Sequence, residues 1–402
     1  MSGESAQAPL LVPLTLRGVT LASRIAVSPM CMYASRDGFA TDFHLAHLGR
    51  FALGGAGLVI MEATAVTPAG RISHHDAGIW SDEHVPALSR VAGFIAAQGA
   101  VPGIQLGHAG RRASVREPWR AGLPLDDTDA ADGLPPWQCE APSALPAGPG
   151  WPVPTEMTEA DIERSLAEWA AAARRAVAAG FRVIEVHGAH GYLAHTFLSP
   201  VSNRREDRWG GSRENRMRYP LALVAAIRSA IPDDVALAYR LSAVDGAEDG
   251  LGIEDTQDFA AELEHAGVDL IDTSSGGITT DRSSDTRVRR GFAFHAGFSR
   301  AIRDAVGIPV ATVGLVIDPE QANRLVACGD ADLVLLGREM LDDPNWPNRA
   351  ATELRGGEYD HWNIRFGSAL GPRERTIARL IEGGEMPLSR FEAAPAQQYD
   401  HQ

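Results

Sequence analysis

The sequence predicts an α/β protein built as a closed (β/α)8 TIM barrel. Three observations carry that reading: eight short apolar runs, eight helical segments alternating with them, and no glycine-rich dinucleotide turn after the first run. The runs lie at 24–30, 58–65, 101–106, 183–188, 235–241, 269–274, 308–314 and 331–337. Each is too short for a helix, rich in Val, Ile and Leu, and apolar on both faces, as parallel strands covered on both sides are. Helical periodicity or start signals fall at 44–53, 83–98, 158–179, 213–230, 254–265, 295–306, 318–328 and 342–355. In the third, Thr158 and Asp161 form a capping-box pair ahead of an alanine-rich body that Gly180 closes.

Ahead of the first strand, PLTLRGVTLASR alternates about Arg17–Gly18 and reads as a hairpin that caps the bottom of the barrel. The expected organisation is one domain over 1–402, with the barrel at about 10–355, an excursion after strand three at about 111–157 and a tail at about 356–402. The excursion is read as a lid, because Trp119, Trp137 and Trp151 sit badly in a solvated linker; the plain alternative is a disordered insertion.

Composition removes whole classes of chemistry. All 37 basic residues are arginine, so no Schiff-base lysine, pyridoxal-phosphate lysine or P-loop lysine exists. A net charge of −15 argues against nucleic acid as a partner. Cys31, Cys139 and Cys328 are far apart, which suits a reducing compartment and neither a disulfide framework nor a cysteine metal cluster. No run reaches the roughly 18 apolar residues of a membrane span, and the first residues lack a basic end followed by an apolar stretch. A cytoplasmic protein without a membrane partner is expected.

In such barrels the chemistry sits at the carboxyl ends of the strands. There the chain places Ser28, Pro29, Met30 and Cys31 with Tyr33; Glu62 and Ala63; Gln105 and His108; His187, His190 and Tyr192; Arg240; Ser274 to Gly276; Gly314; and Gly337 with Arg338. Singly, each has a bland reading: a packed thiol, a hydrogen-bonded histidine, a tight-turn glycine, or, for Arg240, an ion pair with an acid such as Glu185.

Together with their neighbours they are specific. SPMCMYAS, IMEATAVTPAGR, DAGIWSDEHV, IQLGHAGR, EVHGAHGYLAHTFLSPVSNRREDRWGGSRENR and LLGREMLDDP resemble the old yellow enzyme family of FMN-dependent ene-reductases. The cysteine in SPMCMY and the REPWR loop resemble its YqjM-like and xenobiotic reductase branch, over about residues 10 to 345.

That resemblance implies roles. Gly314, Gly337 and Arg338 would hold the FMN phosphate. Arg240 and Gln105 would face the pyrimidine side of the ring, with Ser28, Pro29, Met30, Cys31 and Ala63 as its wall, and His187 alongside. His187 and His190 would hydrogen-bond a carbonyl or nitro oxygen of an activated alkene, and Tyr33 and Cys31 would line the substrate. Tyr192 would protonate the alkene carbon opposite the incoming hydride. NADPH, ahead of NADH, would reduce flavin N5 and leave before the alkene enters, which gives ping-pong kinetics; Cys31 has no adjacent base and is not read as a nucleophile.

Two features depart from the branch: Arg112 stands where lysine is usual, and the chain ends QYDHQ, with His401 near the place of an arginine that reaches a neighbouring subunit. A homodimer or homotetramer is expected by resemblance. The rivals are a metal-dependent barrel hydrolase that uses His187 and His190, and a non-catalytic flavin-binding barrel.

Overall fold

The structure is a computed structural model that describes residues 8–280 and 288–385. His401 lies outside the described residues. Eight parallel strands close into a barrel in chain order: β1 (Ile25–Val27), β2 (Leu58–Ala65), β3 (Val101–Gly107), β4 (Val183–Gly188), β5 (Ala236–Ser242), β6 (Leu270–Ser274), β7 (Val310–Thr312) and β8 (Leu333–Leu336), with β8 returning to β1. Helices α1 (Asp42–Leu53), α2 (Val85–Ala97), α3 (Glu159–Ala178), α4 (Arg213–Ala230), α5 (Ile253–His265), α6 (Ala296–Arg303), α7 (Pro319–Ala327) and α8 (Trp346–Leu354) follow the strands in turn. The alternation read from the sequence is the alternation observed.

Strand alternation sorts the side chains into two apolar clusters. Ile25, Val59, Ile104, Ile184, Leu237 and Ile271 point outwards and pack under the helices. Ala26, Leu58, Val183, Ala236, Leu270 and Leu333 point into the barrel. The bottom of that interior is plugged by the N-terminal hairpin, Leu14–Leu16 against Val19–Leu21, whose alternate residues Leu14, Leu16, Val19 and Leu21 join the interior cluster. Their neighbours Thr15 and Thr20 are exposed, as a one-sided strand pair requires. With the lower barrel filled by apolar side chains, the polar inward positions collect higher up.

Three segments differ from the sequence reading. The span 342–355 is not one helix: a short turn, Arg338–Asp342, precedes α8, and Pro344 stands in the break, where it has no N–H to offer a continuing helix. The excursion 111–157 contains a five-residue helix, Asp127–Ala131, and a strand pair, Glu140–Ala141 with Thr155–Glu156. It is packed: Ala113, Val115 and Cys139 are buried in a cluster that Trp137, Trp151, Cys31, Tyr33 and Tyr192 also touch. The tail holds a further helix, α9 (Ile364–Glu382), with none of its residues buried. Gly367, Gly371 and Pro372 obscured its helical pattern. Among the described residues, no helix is long and apolar enough to cross a membrane.

The hairpin plug gives a direct test. Leu16→Ala, at a fully buried plug position, is expected to lower the unfolding free energy by ~2–5 kcal/mol in urea titration. Thr15→Ala, one residue away and exposed, should stay within ~0.5 kcal/mol.

Candidate active site

The rim of the barrel is built upon a polar layer inside it. Arg240 on β5 is buried, stands beside Asp272 of β6 in register, and contacts that carboxylate at 3.2 Å. Its partner is therefore Asp272 and not Glu185: Asp272 shares its register position on the adjacent strand, whereas Glu185 is paired in register with Ala238. Arg240 also donates to Ser28 Oγ at 3.2 Å, which ties β5 to the end of β1. Glu185 accepts from Gln105 Nε2 at 2.7 Å, across the β3–β4 register pair.

Above this layer stand the two histidines. Ala189 N donates to His187 Nδ1 at 3.3 Å, so His187 carries its proton on Nε2. That nitrogen faces His190 Nδ1 at 3.3 Å, and His190 Nε2 meets Ser274 Oγ at 2.7 Å. Burial, followed by neighbouring positive charge, holds both imidazoles well below the ordinary histidine range, so both are neutral. With no oxygen between the rings, His187 Nε2–H donates to His190 Nδ1, and His190 carries its proton on Nε2 and gives it to Ser274 Oγ. If an oxygen enters between the rings and the Ser274 hydroxyl turns to donate to Nε2, the His190 proton moves to Nδ1 and two N–H groups converge on that oxygen.

His190 has a left-handed backbone (φ 58°), which a non-glycine residue adopts only under constraint. The constraint is visible. A Cβ on Gly277 would stand 2.5 Å from His190 Cα, so the β6 loop lies directly against the β4 loop. Arg112 clamps both, donating to His190 O at 2.7 Å and to Gly277 O at 2.8 Å. Arg111 holds the excursion in the same way through Leu145 O, Pro146 O and Ile278 O.

Tyr192 follows in this turn, with its ring 4.6 Å from that of His187 and the Arg112 guanidinium 5.9 Å from its centroid. Burial first, then Cys31, pushes its hydroxyl above the ordinary range, so it is a neutral phenol. Burial and the nearby Asp76 likewise keep the Cys31 thiol protonated. Tyr33, also in a left-handed conformation (φ 55°), meets the edge of Trp119 from the excursion at 5.6 Å.

On the opposite side, Gly314 and Gly337 with Arg338 border a cavity of about 260 Å³ between the ends of β7 and β8. Gly337 caps the short Arg338–Asp342 turn, whereas Leu315–Asp318 separates Gly314 from α7. Arg338 is exposed, and among the described residues no carboxylate is paired with it.

Some groups were not read from the sequence. His195 accepts from Gly191 N at 2.9 Å and bonds Asp245 at 2.7 Å, all fully buried, and so fixes the turn that presents Tyr192. Ser199 bonds the same carboxylate and not the imidazole, so this is a brace and not a nucleophilic triad. Asp245 follows β5 by three residues, and that position was its one available signal. For the metal rival, no group of three His, Cys, Asp or Glu side chains suited to a metal stands together among the described residues.

The pattern of the NADH:flavin oxidoreductase / NADH oxidase family matches residues 9–356. An NADPH dehydrogenase of Geobacillus thermodenitrificans is 44% identical over 347 residues, covering 86% of this chain and 94% of that protein. The NADPH dehydrogenase of Bacillus subtilis is 40% identical over 347 residues, with 86% and 95% covered. Among solved structures, a morphinone reductase variant in complex with tetrahydroNAD superposes with a TM-score of 0.70 at 26% identity, covering 86% of this chain and 91% of that one.

The neutral imidazoles predict a pH response. Burial lowers His108 and His295 to about 4, and His187 and His190 shift in the same direction. The unfolded chain binds these protons near 6.5 and the folded chain only at lower pH, so stability is full above ~6.5 and is lost as pH falls towards 4. Urea unfolding from pH 7 to 4.5 should show a loss of a few kcal/mol, reduced in a His108→Gln variant.

Proposed function

The chain belongs to the NADH:flavin oxidoreductase / NADH oxidase family, and on that premise we propose that it is an FMN-dependent ene-reductase that uses NADPH, in preference to NADH, to reduce the C=C bond of α,β-unsaturated carbonyl, maleimide or nitro compounds. One observation carries the reading: a neutral phenol, Tyr192, packs against a neutral histidine pair directly above a buried arginine and a buried amide.

The residues present fit FMN. Arg338, with no carboxylate partner among the described residues and beside a cavity bordered by Gly314 and Gly337, suits a phosphate. Arg240, Gln105 and Ser28, with the backbone of Pro29, Met30, Cys31 and Ala63, suit the polar edge and wall of the ring. FMN, when bound, supplies the two-electron carrier that takes a hydride from NADPH and gives one to the alkene.

The protein's own part is binding, orientation and proton control. His187 Nε2 and His190 Nδ1 grip the activating oxygen of the substrate; because neither ring is charged, they offer hydrogen bonds without protonating it prematurely. As negative charge builds on that oxygen the two bonds strengthen, and losing one such donor typically costs ~10²–10³ in rate. Tyr192 holds the proton at Oη and delivers it to the α-carbon. Tyr33, with Trp119 against its ring, and the packed excursion border the mouth. NADPH and the alkene use this one opening in turn, so the kinetics are ping-pong. The same proposal includes assembly as a homodimer or homotetramer, which would give the exposed α9 a partner surface.

Tyr192→Phe tests the proton-donor role. In anaerobic stopped flow, reduction by NADPH should proceed at the wild-type rate, while reoxidation by 2-cyclohexenone should slow by ~10²–10⁴-fold. Equal reoxidation rates would remove Tyr192 from the chemistry.

A further inference from the structure

Inside the barrel, Glu185 and Asp272 are both fully buried, yet among the described residues Arg240 is the one cation in contact with either. Arg240 is in contact with Asp272, and no ion pair to Glu185 is found among the described residues. Glu185 spends one oxygen on Gln105 Nε2, and its other oxygen is buried without a hydrogen-bond partner among the described residues, whereas Asp272 Oδ2 lies 3.2 Å from Arg240 Nε. Two buried carboxylates beside one guanidinium cannot both be anionic at low cost, because an unpaired buried carboxylate costs far more than a protonated one. One proton on Glu185 Oε2 resolves the arrangement, because it removes the carboxylate charge that has no ion pair.

We propose that Glu185 is a proton-holding positioning residue: its neutral carboxyl anchors Gln105 and holds the charge of the Arg240–Asp272–Glu185 set at zero instead of −1 beneath the bound flavin. This rests on the FMN reading of the site. Burial, followed by repulsion from Asp272, pushes the Glu185 carboxyl up to about 8, and burial also pushes Asp272 up against the pull of Arg240. Of the two, Asp272 is the ionised member, because it touches the guanidinium. The charged groups that bear on Glu185 are Asp272 and Arg240, with neutral His187 two residues along its own strand.

A coupling to redox state follows. Accepting a hydride adds one negative charge to the flavin, and a like charge nearby raises a carboxyl further. At pH values where Glu185 is ionised under the oxidised flavin, reduction then draws one proton from solvent onto its carboxylate. The balance is two electrons and one proton in the hydride, and one further proton on Glu185.

The test compares wild type, Glu185→Gln and Gln105→Ala. In FMN-loaded wild type, the midpoint potential should fall more steeply with pH above about 8, by ~30 mV per pH unit for one extra proton per two electrons. Glu185→Gln, which mimics the neutral acid, should lack the extra slope, whereas Gln105→Ala should keep it.

A second arm uses flavin-free protein. The folded value of Glu185 lies above its unfolded one, so its stabilisation is complete below ~4.5 and is lost as pH rises through about 8. The melting temperature of wild type should therefore drop a few degrees more between pH 6 and 9 than that of Glu185→Gln. Identical pH profiles for wild type and Glu185→Gln in both arms would overturn the proposal. Failure of the wild type to bind FMN would refute the FMN reading instead, and the flavin-free arm would still decide the protonation of Glu185.

Discussion

The contact between Arg240 and Asp272 is the constraint on which the rest of the site depends. Below it the barrel interior is closed by apolar side chains and the hairpin plug; above it the strand ends carry buried polar residues such as Ser28, His187, Ser242 and Ser274. The guanidinium is almost wholly buried there, so its neighbours must answer its charge. Asp272 does so directly, Ser28 Oγ takes another N–H, and the positive field helps to keep His187 and His190 uncharged. Neutral donors at the rim are thus in part a consequence of a cation in the middle.

The rim is held by backbone contacts more than by its own side chains. The β4 and β6 loops touch at Gly277 and His190, Arg112 clamps them, and the His195–Asp245 brace fixes the turn ahead of Tyr192. Positive φ values at Tyr33 and His190 show local conformational cost at two residues that face the opening, as pre-organised sites commonly do. The excursion adds Trp119 and Trp137 at the mouth, tied down by Arg116 and Arg120 to Asp129.

Much of this was legible in the chain. Buried parallel strands announce themselves as short Val/Ile/Leu runs, and the strand-end rule then points to Tyr192, His187, His190 and Arg240 before any coordinates are consulted. What was not legible depends on register. Whether Arg240 pairs with Glu185 or Asp272 is decided by which residue lies beside it across a strand boundary, and sequence spacing carries no such information. The brace from Asp245 to His195 spans fifty residues and belongs to the same class. Ser274 is legible as a strand-end residue, but its contact with His190 Nε2 joins two strand ends 84 residues apart and is not. The break at Pro344 followed from a local rule that the periodic pattern on either side concealed.

The central claim is that one flavin carries electrons from a nicotinamide to an activated alkene within this barrel, and its most direct test is an anaerobic spectral titration of the purified protein. The account predicts a yellow protein whose flavin absorbance bleaches with one equivalent of NADPH and returns fully with one equivalent of 2-cyclohexenone. A colourless protein, or bleaching that no activated alkene reverses, would contradict it.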